Sequence, residues 1–153
     1  MPGDYVATSS VTVEAPPARV WDIITDPAAA REFMFGTELS TEWTVGGPIT
    51  WSGSWEGKDY QDKGVVLDVE PGQRLVYTHF SPLGGQDDKP ENYHTLTWTL
   101  QDQGGRTLLV LSQDNNPSAE AAEHSKGMWD QLVADVKRLA ERWLTPPVPA
   151  RPN

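Results

Sequence analysis

The sequence predicts an α+β domain, in which a curved antiparallel sheet of about seven strands wraps on a long C-terminal helix. Two observations predict this class. Strand-like segments follow one another through the middle of the chain without helices between them, and one long amphipathic segment follows them. The length of 153 residues is near that of a single domain. We therefore expect one domain over residues 1–145 and a disordered, proline-rich tail over 146–153.

A first strand and two short helices are predicted between residues 5 and 33. Apolar and polar residues alternate through YVATSSVTVE, as in a half-buried strand. In PARVWDII the apolar residues fall on one stripe of a helix. Asp26 and Pro27 can end this helix and begin the next, because Asp caps helix N-termini and Pro is tolerated at the first helical position. Helices this short are stable only when they pack against another element, so we expect them to cover one end of the sheet.

Six further strands separated by turns are expected in the middle of the chain. Their segments are LSTEWTV, ITWSGSWE, VVLDVE, RLVYTHF, YHTLTWTL and RTLLVLSQD. The segments between them are rich in Gly, Pro, Asp and Gln, which favour turns, and GKDYQDKG is interpreted as one of these turns. The order of the segments predicts an antiparallel meander.

The last helix is predicted to begin near Asn116 and Pro117. A helix of about 25 residues would be roughly 37 Å long, enough to cross the apolar face of the sheet. Gly127 within it costs on the order of 1 kcal/mol relative to Ala, which either a close approach by another element or simple tolerance would explain. Apolar residues recur at helical spacing at Met128, Leu132, Val136, Leu139 and Trp143.

Four segments of the chain resemble the START-like superfamily, also called SRPBCC or Bet v 1-like. They are VTVEAPPARVWDIITDP, GVVLDVEPGQRLVYT, GGRTLLVLSQD and GMWDQLVADVKRLAERWL. Within the superfamily they look like the branch named after the activator of Hsp90 ATPase homologue 1. The resemblance implies a helix-grip fold with a deep pocket between the sheet and the C-terminal helix. It also implies diverse roles, from lipid and polyketide binding to cyclase or hydrolase activity. Members commonly carry Trp where this sequence reads REFMFG, so Phe33, Met34 and Phe35 are expected to line that part of the pocket.

Strand alternation assigns aromatic and polar side chains to the inward face of the sheet. Seven Trp residues in one domain suit a pocket wall, although aromatic residues in strands more often form core, and both roles stay open. Trp43 is assigned to the strand face of Leu39. On the last helix, Met128 is expected to point inward, and Trp129 is expected to lie at the rim or to pack on a short helix. The candidate ligand-binding residues are Phe33, Phe35, Trp43, Trp51, Trp55, Tyr77, His79, His94, Trp98, Gln113, Met128 and Trp129.

No catalytic residue, metal site or cofactor is predicted. Cysteine is absent, and the chain has neither an H-x-x-x-H nor a G-x-S-x-G motif. His79 and His94 lie on strands expected to be neighbours, where a structural role, ligand contact and acid–base chemistry are the alternatives. Asp59 and Asp62 are interpreted as solvated carboxylates of a turn.

Charge excludes some partners and narrows the predicted functions. A net charge of −10 opposes nucleic-acid binding, and the absence of a long apolar run argues against membrane insertion. The opening residues lack the pattern of a secretory signal, so a cytoplasmic protein is expected. The predicted function is to bind a small hydrophobic molecule, aromatic or lipid-like, as a carrier, sensor or sequestering protein. The alternatives are a polyketide cyclase-like or hydrolase-like enzyme that uses a pocket His, and a co-chaperone-like module with a protein partner. The protein is expected to be a monomer or a homodimer.

Overall fold

The computed structural model describes residues 5–82 and 85–142, except for the side chain of Trp55. Trp143 and the predicted tail lie outside the described residues. A short 3-10 turn at Pro90–Asn92 precedes the sixth strand. The main elements are β1 (Tyr5–Val13), α1 (Pro17–Ile24), α2 (Pro27–Phe33), β2 (Glu38–Thr41), β3 (Pro48–Trp55), β4 (Lys58–Glu70), β5 (Arg74–His79), β6 (His94–Asp102), β7 (Thr107–Asn116) and α3 (Ala119–Arg142). The predicted α+β helix-grip fold is confirmed.

Within the described residues, all strands join one seven-stranded antiparallel sheet in the order β1-β7-β6-β5-β4-β3-β2. One buried apolar cluster fills the space between the sheet, α3 and the two short helices. α1 contacts β6 and α3, whereas α2 contacts β2 and α3, so the short helices bridge the sheet to the long helix. Asp26 caps α2 by accepting a hydrogen bond of 3.0 Å from the Ala28 N–H.

Three predicted element boundaries were wrong. GKDYQDKG is not a turn, because Glu56 and Gly57 alone close the hairpin, with positive φ values of 48° and 81°, and the residues from Lys58 onward form the first half of β4. Trp43 lies beyond the end of β2, and its φ of 54° takes it off the predicted strand face. Helix α3 begins at Ala119 because β7 continues to the end of its own pairing with β1, and the Ser118 hydroxyl accepts the Ala121 N–H.

Gly64 allows β4 to approach β5 closely. A Cβ atom at this position would lie 1.7 Å from the carbonyl oxygen of Thr78 on β5, far inside van der Waals contact. β4 pairs with β3 through its first half and with β5 through its second half, and Gly64 lies where the two pairings meet. Only glycine fits this contact. The absence of a side chain at residue 64 therefore lets the β4 backbone lie close to the β5 backbone.

We expect Gly64→Ala to lower the free energy of unfolding by about 2–3 kcal/mol, because relief of the clash requires movement of backbone rather than of a side chain. Urea denaturation measures the loss. Gly53→Ala is the matched control, since its Cβ would meet the far end of the Tyr60 side chain, at 2.6 Å from the hydroxyl, which can move. Equal losses in the two variants would contradict the account of Gly64.

Gly127 has no close neighbour among the described residues. A Cβ atom there would meet none of their atoms within 4 Å, so no described element makes the close approach considered from the sequence. We therefore expect Gly127→Ala to raise the free energy of unfolding by about 1 kcal/mol and the melting temperature by about 2–4 °C. Gly57→Ala makes the same substitution at a φ of 81° and should destabilise instead. A melting temperature that falls in both variants would overturn this expectation.

Candidate functional site

A cavity of about 190 Å³ lies between the inner face of the sheet and α3. Its walls come from strands β3 to β7, from α3 and from the segment after α2. An engineered cavity of about 150 Å³ in another protein binds benzene, so this space suits an aromatic ring with a substituent. The lining residues are Met34, Phe35, Thr37, Trp51, Asp62, Tyr77, His79, Leu96, Trp98, Leu111, Met128, Trp129 and Leu132.

A wider outer cleft of about 500 Å³ adjoins the cavity. It adds polar groups from Ser54, Tyr60 and Ser81, and the Thr37 and Tyr60 hydroxyls lie 2.7 Å apart within hydrogen-bond distance. The inner space is thus mainly apolar and the outer one mixed. A ligand longer than the inner cavity can extend into the cleft. The two spaces share Met34, Phe35, Thr37, Asp62 and Met128.

Two tryptophan side chains and Tyr77 between them build the inner wall of the cavity. The ring of Trp51 lies 5.4 Å from that of Tyr77, and the Trp98 indole N–H donates a hydrogen bond of 2.9 Å to the Tyr77 hydroxyl. Burial raises the pKa of Tyr77 to about 12, although the Trp98 hydrogen bond opposes this shift. Tyr77 is therefore protonated near neutral pH. Its hydroxyl hydrogen has no acceptor among the described residues, which leaves it available to a ligand.

Asp62 and His79 form a hydrogen-bonded pair in the lining. His79 Nε2 and Asp62 Oδ2 lie 2.8 Å apart, and the two side chains are 26% and 15% exposed. With the carboxylate ionised, Nε2 donates the hydrogen bond. Trp51 packs edge-on against the imidazole, with ring centroids 4.9 Å apart. The other carboxylate oxygen, Oδ1, is buried and has no hydrogen-bond partner in the described part of the chain.

Sequence reasoning missed Asp62. Its segment was interpreted as a turn, whereas Asp62 lies on β4 directly opposite Trp51 of β3, with both side chains on the cavity face. The alternation of Tyr60, Asp62 and Gly64 could have found it, had the segment been identified as a strand. Asp59 lies on the same strand and is exposed.

The structure places seven of the twelve candidate residues in the cavity lining. Phe35 and Met128 lie near the mouth, being 61% and 43% exposed, and both also line the outer cleft. Trp129 is partly buried and lines only the inner cavity, whereas Met128 lines both spaces, so Trp129 lies deeper than Met128. The seven residues are Phe35, Trp51, Tyr77, His79, Trp98, Met128 and Trp129.

Two candidate aromatic residues lie outside this lining. Phe33 is fully buried and packs edge-on against Trp98, with ring centroids 6.2 Å apart, so it supports the wall from behind. The Trp43 indole N–H donates to the Thr25 carbonyl at 2.9 Å and fixes the segment after β2 to the end of α1. The side chain of Trp55 is outside the description.

Two candidate polar residues also lie outside the lining. His94 pairs with His79 across β5 and β6, as expected for neighbouring strands, but its Nδ1 lies 2.8 Å from the Asp114 carbonyl oxygen. Gln113 is buried, and its side-chain carbonyl accepts the Trp129 indole N–H at 3.2 Å. Gln113 thus holds a lining residue in position.

The described residues form neither a metal site nor a membrane-spanning helix. In that part of the chain, no three His, Asp or Glu side chains are grouped so that they could hold a metal ion. None of the described helices is both long and apolar enough to cross a membrane.

Residues 14–141 match the family described as activator of Hsp90 ATPase homolog 1-like protein. The chain belongs to this family. The resemblance found in the sequence is therefore confirmed. Among solved structures, ChR145 from Cytophaga hutchinsonii is similar to this chain: it is 36% identical, with a TM-score of 0.83, and the match covers 95% of this chain and 100% of that one. No curated protein is similar enough to count as a match.

Two solved structures share the fold at lower sequence identity. PFC0360w, an Hsp90 activator from Plasmodium falciparum, is 16% identical with a TM-score of 0.68, over 89% of this chain and 96% of that one. DynU16, a protein of the dynemicin biosynthetic locus, is 23% identical with a TM-score of 0.73, and the match covers 90% of this chain but 48% of that one. At these identities the likeness shows the fold alone.

Proposed function

We propose that this protein binds a small hydrophobic molecule, aromatic or lipid-like, in the cavity between the sheet and α3, as a carrier, sensor or sequestering protein. The observation that carries the proposal is the lining itself. Aromatic and methionine side chains form most of a cavity of about 190 Å³ that adjoins a wider cleft. Enclosed apolar walls with a few polar groups are typical of small-molecule sites.

The polar groups of the cavity suit orientation of a bound molecule. Tyr77 offers a hydroxyl hydrogen, and the Asp62–His79 pair offers a carboxylate and an imidazole. Apolar contact with Trp51, Trp98 and Leu132 would supply most of the affinity, at about 25 cal/mol for each Å² of apolar surface removed from water. The polar groups would then decide which apolar molecules fit.

Native mass spectrometry of the purified protein, beside the same sample denatured, tests this proposal. A mass excess that disappears on denaturation supports it and gives the mass of the ligand. Quenching of tryptophan fluorescence by added aromatic probes is the second measurement, because three Trp residues line the cavity. A protein without an adduct, whose emission no probe in a diverse panel changes, would count against the proposal.

An enzyme of the cyclase or hydrolase type is the second candidate function, and the Asp62–His79 pair favours it. An imidazole whose N–H at one ring nitrogen donates a hydrogen bond to a carboxylate can use the other nitrogen as a general base, as in hydrolytic triads. His79 lines the cavity, whereas His94 does not. Replacing both histidines with Ala should leave the affinity for an apolar probe without a hydrogen-bond donor nearly intact if the protein is a carrier, and it should abolish turnover if the protein is an enzyme.

A co-chaperone-like module with a protein partner is the third candidate. The structural likeness to an Hsp90 activator favours it. Under this hypothesis, charge reversal on a surface patch should break partner binding and leave the cavity's affinity for aromatic probes unchanged. Loss of partner binding only when the cavity is filled would point instead to a ligand-controlled interaction.

A further inference from the structure

The Asp62 carboxylate has unused hydrogen-bonding capacity inside the candidate binding cavity. An ionised carboxylate has about four lone-pair sites, and the structure supplies one hydrogen bond, from His79. The buried Oδ1 atom has no partner among the described residues. A buried acceptor without a partner is unfavourable, and native proteins seldom retain one without a role for it.

No lysine or arginine side chain of the described cavity or cleft lining pairs with the Asp62 carboxylate. Neither the described lining of the inner cavity nor that of the outer cleft contains a Lys or an Arg. Asp62 belongs to both linings, so it lies where the two spaces meet. The Asp62 side chain is 15% exposed, and a molecule that passes from the cleft into the cavity would cover this remaining exposed part.

An apolar molecule without a hydrogen-bond donor would desolvate the carboxylate without forming a compensating hydrogen bond, which is unfavourable. A molecule with a hydroxyl or ammonium group at this point would replace the lost water with a charge-assisted hydrogen bond. Trp51 lies directly opposite Asp62 on β3, and its ring packs against that of Tyr77, so the wall there favours a flat apolar body and also tolerates an adjacent cation.

Resting on the proposed function, we infer that the ligand of this cavity is an apolar, ring-containing molecule with a hydrogen-bond donor, either a hydroxyl or an ammonium group, that binds the Asp62 carboxylate. His79 acts as a positioning residue, because its hydrogen bond to Oδ2 holds the carboxylate at the junction of cavity and cleft. Asp62 is thereby the specificity-determining residue of the site.

The test compares three probes of nearly equal shape by isothermal titration calorimetry. They are 2-naphthol, 2-naphthylmethylamine and 2-methoxynaphthalene, of which the last has no donor. For the wild-type protein we expect at least one donor-bearing probe to bind about 10- to 100-fold more tightly than the methoxy compound. The stronger of the two donor probes then distinguishes a hydroxyl from an ammonium ligand.

Asp62→Asn supplies the second arm of the test. If the amide oxygen keeps the hydrogen bond from His79, an NH₂ group replaces Oδ1, and the preference for donor probes should fall below about threefold. Asp59→Asn is the matched control, because it removes the same charge from an exposed position on the same strand and should leave the preference unchanged. A thermal melt of each variant checks that it is folded.

The possible results separate this inference from the proposed function. Equal wild-type affinities for all three probes would overturn the inference and leave the proposed function in place. A preference that survives in Asp62→Asn would also overturn it, because another group would then be the acceptor. A wild-type protein that binds none of the probes would overturn both, and the comparison within the wild type needs no variant to fold.

Discussion

Replacing Trp98 with Ala is expected to lower the free energy of unfolding by about 4 kcal/mol. The side chain is 1% exposed, packs edge-on against Phe33, and lies beside the cavity. Truncation removes buried apolar surface and enlarges an existing space, and Trp→Ala changes in protein cores typically cost 3–5 kcal/mol. The Tyr77 hydroxyl also loses its only hydrogen-bond donor in the described residues. Urea denaturation at constant pH measures the loss.

Trp98→Phe separates packing from hydrogen bonding at the same position. It keeps an aromatic ring but removes the indole N–H, so we expect a loss of about 1–2 kcal/mol. Both variants should lower the urea concentration at the unfolding midpoint. The m-value, which is the dependence of the unfolding free energy on urea concentration, should change little because the surface exposed on unfolding stays similar. If Trp98→Ala cost less than about 1 kcal/mol, the ring would not be a packing element, and the description of the inner wall would be wrong.

Replacing Leu132 with Trp is expected to weaken binding of aromatic probes at least 100-fold. Leu132 is 2% exposed and lines the cavity from α3, so a larger side chain there occupies the space proposed for the ligand. The cost in folding free energy should stay within about 1–3 kcal/mol, since the added atoms enter an existing void. Isothermal titration calorimetry with 2-naphthol gives the affinity, and a thermal melt gives the stability.

Val45→Trp is the matched control for this prediction. Val45 is 59% exposed, lies between β2 and β3, and is not among the cavity-lining residues. The new indole there should leave the affinity for 2-naphthol unchanged. A probe that binds Leu132→Trp as tightly as wild type would have to occupy another place, and the inner cavity would lose its proposed role.

Local patterns in the sequence predicted the order of the helices and strands, because the signals of each element lie within its own residues. Alternation identified the strands, apolar periodicity identified the helices, and Asp26 with Pro27 marked the boundary between the two short helices. The pattern failed in GKDYQDKG, because polar residues on an exposed strand resemble a loop when their partner strand is unknown. That one error also hid Asp62 from the list of candidate site residues.

Residue type alone was a poor guide to position within the pocket. Phe33 and Trp43 have the same character as the lining residues, yet Phe33 supports Trp98 from behind and Trp43 holds a loop. Met128 and Trp129 are consecutive on α3 and differ in depth because the helix turns its neighbouring side chains by about 100°. Such differences depend on how α3 is rotated against the sheet, which is a property of the assembled fold.

The sequence by itself determined the fold class, the family and the aromatic character of the interior, because periodicity, turn residues and family motifs are all properties of short segments. Only the tertiary structure decided that the Trp residues leave a cavity open and that Asp62 meets His79 across β4 and β5. The first depends on the volume left between sheet and helix after packing. The second depends on the register of distant strands and on the close approach that Gly64 permits.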